Sequence, residues 1–254
     1  MNNHTVTQLN PVVSMFTALE NNLEHNHSTR HSAKNEFGSA LFVIKQPNSQ
    51  QSEALRSLRS QLLLRWFNAG NKSMALVGTN IGEGCSYLAA NLAVVFAQLG
   101  LRTLLVDANL RDPSQHRLFN LKNEIGLSDI LAGHAGQVVI NPLGTIENLS
   151  ILSAGSIPSN AKELLSRTTF TELMKQITPQ YDVVLVDTAP GTMTADAQAA
   201  AACCSGVLLV SRLNHTKLSH LADMRDYIAI TGAEIVGSVI NDFCHDETIQ
   251  SYLN

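Results

Sequence analysis

Six short apolar runs, at 74–78, 103–107, 148–152, 182–187, 207–211 and 234–240, constrain this chain more than any other feature. Most are continuous rather than alternating, so both faces of each strand must be covered. Parallel strands buried between helical layers have that pattern. Helical periodicity fills the intervals at 86–99, 163–177, 194–204 and 217–231, with a shorter helix at 128–132. Gly100 stops the first of these, and Pro179 lies beyond the end of the second. Strands alternating with helices predict a doubly wound α/β fold, with a mainly parallel sheet and helices on both faces.

Upstream, residues 1–35 are rich in Asn, His, Ser and Thr and read as a disordered polar tail, with a short helix around 13–23. An apolar patch at 40–44 ends at Pro47, and a helix is expected over 52–67, with Leu55, Leu58, Leu62 and Phe67 at helical spacing. The folded domain is expected to span 36–245, with a short tail at 246–254.

Composition narrows the class. Hydrophobic residues at 44% allow a sizeable core, and aromatics at 5% make it one of Val, Leu, Ile and Ala. A net charge of −4 gives no strongly basic face, so nucleic acid is not the expected partner. No apolar run reaches the roughly 18–20 residues of a membrane span. The polar first ten residues lack a signal-peptide pattern, so the expected location is the cytoplasm. Cys85, Cys203, Cys204 and Cys244 fit neither zinc spacing nor a disulfide framework and read as reduced thiols.

The chemistry concentrates between the first run and the helix that follows it. Thr79-Asn80-Ile81-Gly82-Glu83-Gly84-Cys85-Ser86 is a Gly-rich strand-to-helix turn. A phosphate loop needs small residues so that backbone N–H groups converge on oxygens, and a helix N-terminus for its partial positive charge. It also needs Ser or Thr for magnesium and a lysine for the outer phosphates. Gly82, Gly84 and Ser86 fit these roles, but Cys85 stands where the lysine belongs. Two further runs end in acid, at Asp107 and Asp187. Parallel strands align their carboxyl ends with the loop, so both carboxylates are expected in one crevice, holding magnesium directly or through water.

These segments resemble the bacterial tyrosine kinases of polysaccharide export, relatives of the MinD and ParA ATPases, over about 52–243. Gly82-Glu83-Gly84-Cys85-Ser86 resembles their Walker A segment. Leu105-Val106-Asp107-Ala108-Asn109-Leu110-Arg111 resembles their second acidic motif, and 181–190 their Walker B. The subgroup most similar is the stand-alone, EpsG-type chain-length determinant kinase. The resemblance implies Mg·ATP or ADP held by Gly82, Glu83, Gly84, Cys85, Ser86, Tyr87 and Arg212. It implies magnesium at Ser86, Asp107 and Asp187, with Asp107 and Asp187 catalytic. Glu53-x-x-Arg56-x-x-Arg59 matches the family's ring-contact motif, and spacing by three puts those charges on one helix face. The implied partner is a Wzz-like membrane chain-length regulator.

The sequence departs from the family at three places. Cys85 removes a fixed positive charge. Asn109 replaces a second carboxylate. The tail keeps one tyrosine, Tyr252, as phosphoacceptor, while Tyr87, Tyr181 and Tyr227 sit where packing would use them. Arg111, Arg212, or Arg56 and Arg59 of a neighbouring subunit, are candidate replacement cations. Three functions follow: a tyrosine kinase, a non-catalytic scaffold of the same pathway, and, ranked last, a MinD- or ParA-like positioning ATPase.

Overall fold

The computed structural model describes residues 41–135, 138–191 and 195–241, with the backbone course of 13–15. The strands are β1 (Val13–Met15), β2 (Ser73–Gly78), β3 (Thr103–Ala108), β4 (Asn141–Pro142), β5 (Leu149–Leu152), β6 (Val183–Thr188), β7 (Gly206–Arg212) and β8 (Glu234–Asn241). They form one sheet in the order β1-β8-β7-β2-β6-β3-β5-β4. Every neighbouring pair is parallel except β4 with β5. The expected doubly wound, mainly parallel architecture is therefore present.

Period-two alternation sorts the core into two layers. Met74 and Leu76 pack with α1 (Phe42–Lys45), α2 (Gln50–Arg65) and α3 (Cys85–Gln98). α4 (Gln115–Leu118) lies between β3 and the opposite layer's first helix in the chain. Ala75 and Val77 pack with α5 (Leu127–Leu131), α6 (Ala161–Leu165), α7 (Thr168–Ile177), α8 (Asp196–Ala202) and α9 (Leu218–Ala229). Both faces are covered, which is why the strands carry no polar alternation. α2 forms where expected: the Ser49 hydroxyl caps it by accepting the Ser52 N–H, and Leu55, Leu58 and Leu62 are buried.

Three expectations are corrected. The helix expected over 163–177 is two helices, α6 and α7, because Arg167 takes an extended backbone. Leu164 and Phe170 are both buried. On one unbroken helix, six residues of separation would turn them about 120° apart, and the break brings both to the core. The second correction is β4, too short to show as an apolar run; its Pro142 is tolerated because the strand is an edge. The third is at the N-terminus: Val13–Met15 pairs with β8 as a strand, where the start of a helix was expected. The rest of the polar stretch 1–35 and the tail 246–254 lie outside the described residues.

Gly206 shows how tightly the layers close. A Cβ there would collide with the Trp66 ring and with Val236. Trp66 cannot retreat easily, since its indole N–H donates to the Ser73 carbonyl at 3.2 Å. Gly206→Ala is expected to cost about 1–3 kcal/mol by overpacking. A lowered urea midpoint at unchanged slope would show it, and an unchanged midpoint would contradict this packing.

Candidate nucleotide site

The loop between β2 and α3 is shaped by its glycines and by one buried carboxylate. Gly82 and Gly84 have φ of 80° and 78°. A Cβ at Gly84 would also strike the Asn241 amide nitrogen, so position 84 requires glycine on two grounds. Glu83 is 1% exposed. Its carboxylate accepts the Thr79 N–H at 2.5 Å, the Thr79 hydroxyl at 2.6 Å, Asn80 Nδ2 at 3.0 Å and the Thr216 hydroxyl at 2.5 Å. Its carbonyl accepts from Asn241 Nδ2 at 3.0 Å. The Glu83 side chain thus braces the loop from within.

The segment after β7 grips the loop from outside. Arg212 donates to the Gly82 carbonyl at 3.2 Å, and His215 Nε2 lies 3.2 Å from the Ile81 carbonyl. His220 Nδ1 sits 3.1 Å from Asn80 Oδ1. The sequence pointed to Arg212 alone. Thr216, His215 and His220 carry no motif, and only the chain's return past the loop reveals them.

Asp107 and Asp187 are direct register partners on β3 and β6, at the carboxyl ends that face the loop. Both are fully buried. Asp107 Oδ2 accepts the backbone N–H groups of Ser114 and Gln115 at 3.2 and 3.0 Å, and Oδ1 accepts that of Asn109 at 3.3 Å. Asp187 Oδ2 accepts Gln115 Nε2 at 2.7 Å, while Oδ1 is buried with no hydrogen-bond partner among the described residues. Burial pushes the Asp187 carboxyl from 3.8 up to about 6, against the steadying effect of Gln115, Ser86 and Cys85. Burial, then the Asp187 charge, raises Asp107 as well. The same two causes raise the half-buried Cys85 thiol, so it stays protonated and does not repel phosphate as a thiolate. Among the described residues, no ion pair reaches Glu83, Asp107 or Asp187.

Other predicted residues find different uses. Asn109 closes a turn, donating from Nδ2 to the Asp112 carbonyl at 2.8 Å and accepting the Asp112 N–H at 3.2 Å. Arg111, one of the candidate replacement cations, forks onto Asp196 at 2.5 and 3.3 Å. That buried carboxylate, 85 residues on, holds the guanidinium by a charge-assisted pair. Tyr87 stacks on Phe42, ring centroids 5.5 Å apart. Arg56 pairs with Glu53 at 3.2 Å and donates to the Pro47 carbonyl, while Arg59 reaches the Val95 carbonyl of α3 at 2.8 Å. Tyr252 lies outside the described residues.

Gln115 was missed in the sequence. Its backbone N–H holds Asp107, and its side chain donates to both Asp187 Oδ2 and the Ser86 carbonyl, the latter at 3.0 Å. A lone glutamine beyond a strand end gives no local signal of such a bridge.

Comparison with known proteins agrees with this fold. The family profile "ParA: NUBPL iron-transfer P-loop NTPase" matches residues 71–246. The putative tyrosine-protein kinase CapB of Staphylococcus aureus is 31% identical over 84% of this chain and 94% of its own length. The kinase domain of the Escherichia coli tyrosine kinase ETK superposes with a TM-score of 0.77 at 27% identity, covering 85% of this chain and 86% of that one. MinD of Pyrococcus horikoshii, solved with Mg-ADP, shares the fold at a TM-score of 0.60 and 23% identity, over 71% and 76% of the two chains. The chain therefore belongs to the ParA-related P-loop NTPases, in the branch of the bacterial tyrosine-protein kinases.

The raised Asp187 carboxyl gives a signed expectation. The folded state holds this proton more tightly than the unfolded chain, so the stabilisation is fully present below pH 3.8 and is lost as pH rises through about 6. Asp187→Asn without ligand is expected to stabilise the fold by on the order of 1–3 kcal/mol at about pH 7.5, with no gain at about pH 3.5. Denaturant midpoints of both proteins at the two pH values check this, and a loss of stability at the higher value would refute it.

Proposed function

We propose that this chain is a cytoplasmic tyrosine-kinase-like protein of exopolysaccharide synthesis and export. In this reading it takes Mg·ATP or Mg·ADP at the β2–α3 loop and regulates polymer chain length with a Wzz-like membrane regulator, at the inner face of the membrane. The observation that carries the reading is Asp187 Oδ1, a buried oxygen without a partner beside Ser86, under a Gly-rich turn at a helix N-terminus. A hydroxyl and a carboxylate oxygen are the hard donors that magnesium takes. The residues present thus fit a magnesium nucleotide, except that Cys85 adds no charge. No helix among the described residues is long and apolar enough to cross a membrane.

Each residue then has a role. Backbone amides around Gly82 and Gly84 and the N-terminus of α3 cradle phosphate. Ser86 and Asp187 hold the metal, with Asp107 beside them. Arg212, already on the Gly82 carbonyl, is the nearest candidate cation. Asp107, fixed by three backbone amides, orients or deprotonates the acceptor hydroxyl. The bound nucleotide supplies a transferable phosphoryl group and the metal its charge neutralisation. Tyr252 is the proposed phosphoacceptor, and Glu53, Arg56 and Arg59 the proposed contact of a homo-oligomeric ring. A second reading, a scaffold without catalysis, is favoured by Cys85 standing among carboxylates that no cation pairs among the described residues.

Replacing a lysine by a thiol costs about 1.5–3 kcal/mol for one charge-assisted bond. Cys85→Lys is therefore expected to bind Mg·ADP roughly tenfold to a hundredfold more tightly than wild type in calorimetry. Micromolar binding by wild type rejects a nucleotide-free scaffold. Equal affinities would show that the pocket does not use this position. In a kinase assay with Mg·ATP, phosphate is expected on Tyr252 or on a partner tyrosine, and incorporation on neither would leave the scaffold reading.

A further inference from the structure

We infer that Gln115 is a positioning residue of the metal site, an inference that rests on the nucleotide reading above for the identity of the metal's companion. Gln115 is fully buried, although amide side chains seldom are. Its Nε2 donates both hydrogens, one to Asp187 Oδ2 at 2.7 Å and one to the Ser86 carbonyl at 3.0 Å. Two acceptors around one nitrogen fix which end of the amide is which. The amide therefore ties the first turn of α3, which carries Ser86, to the strand end that carries Asp187.

The consequence lies in what remains unbonded. With Oδ2 committed to Gln115, the free Asp187 oxygen is Oδ1, and it is buried without a partner. Gln115 Oε1 is likewise buried without one. Orphaned buried acceptors are rare, because each forfeits its bond to water. Two such oxygens on hydrogen-bonded neighbours make an environment short of positive charge. A divalent cation satisfies it directly or through its water shell. The Gln115 amide selects which carboxylate oxygen faces the cation and holds it against rotation. Its backbone N–H simultaneously holds Asp107 at 3.0 Å, so one residue bonds to both acidic side chains.

The test is manganese binding to the full chain, read as loss of the free Mn2+ resonance, with and without ADP, for wild type and Gln115→Met. Methionine keeps the length and the backbone N–H but neither donates nor ligates. Outer-shell partners of metal ligands typically affect metal affinity by about 10–100-fold. Mn2+ affinity is expected to fall by about tenfold or more, while ADP affinity at saturating Mn2+ stays within about threefold of wild type. If Gln115→Met does not fold, Gln115→Asn, whose shorter amide falls short of Asp187, is expected to give the same split. Equal Mn2+ affinity in variant and wild type overturns the inference, as does equal loss in Mn2+ and ADP affinity, which marks a purely structural role. Failure of wild type to bind ADP while Mn2+ uptake still depends on Gln115 overturns the nucleotide reading and leaves this inference standing. Uptake of no Mn2+ by wild type overturns it.

Discussion

Three carboxylates, Glu83, Asp107 and Asp187, are buried at one end of the sheet with no ion pair among the described residues, and the local architecture follows from how their charge is borne. A buried carboxylate must be hydrogen-bonded or must hold its proton. Glu83 draws four donors from two segments, which fixes the phosphate loop against the connection after β7. Asp107 draws three backbone amides, which folds the chain after β3 into α4. Asp187 takes the Gln115 amide on Oδ2, and burial raises its carboxyl against the steadying effect of Gln115, Ser86 and Cys85. Of the three, it is the one with a buried oxygen that has no hydrogen-bond partner among the described residues, and the one aimed at the expected metal position.

This arrangement also shows how a P-loop keeps its shape after losing its lysine. The lysine's charge acts on the ligand. The loop's form here rests on Gly82, Gly84, the Glu83 brace and the Asn241 amide, none of which needs position 85. Cys85 is held as a neutral thiol by burial beside Asp187, so the substitution is compatible with the fold and leaves the pocket negative. In the proposed reading, affinity for an anionic nucleotide depends on cations brought from elsewhere, either a divalent metal or Arg212. Kinship with CapB and ETK is a kinship of sequence and fold. The chemistry turns on that charge balance.

The sequence by itself determined the layered fold, because continuous apolar runs and helical periodicity are local signals with a single economical packing. It also placed Gly82, Gly84, Ser86, Asp107 and Asp187 at one end of the sheet, since parallel strands must align their carboxyl ends. Partnerships set by chain return were not legible. Arg111 stood among the candidate phosphate cations, and the partner that holds it, Asp196, lies 85 residues away. Thr216 looked like any loop threonine until β7 brought it against Glu83. The break between α6 and α7 hid in a run that is helical on both sides. Gln115 carried no motif at all. Only the tertiary structure decided which oxygen of Asp187 is left free, because a hydrogen bond is a matter of angstroms between residues that the sequence separates by 72 positions.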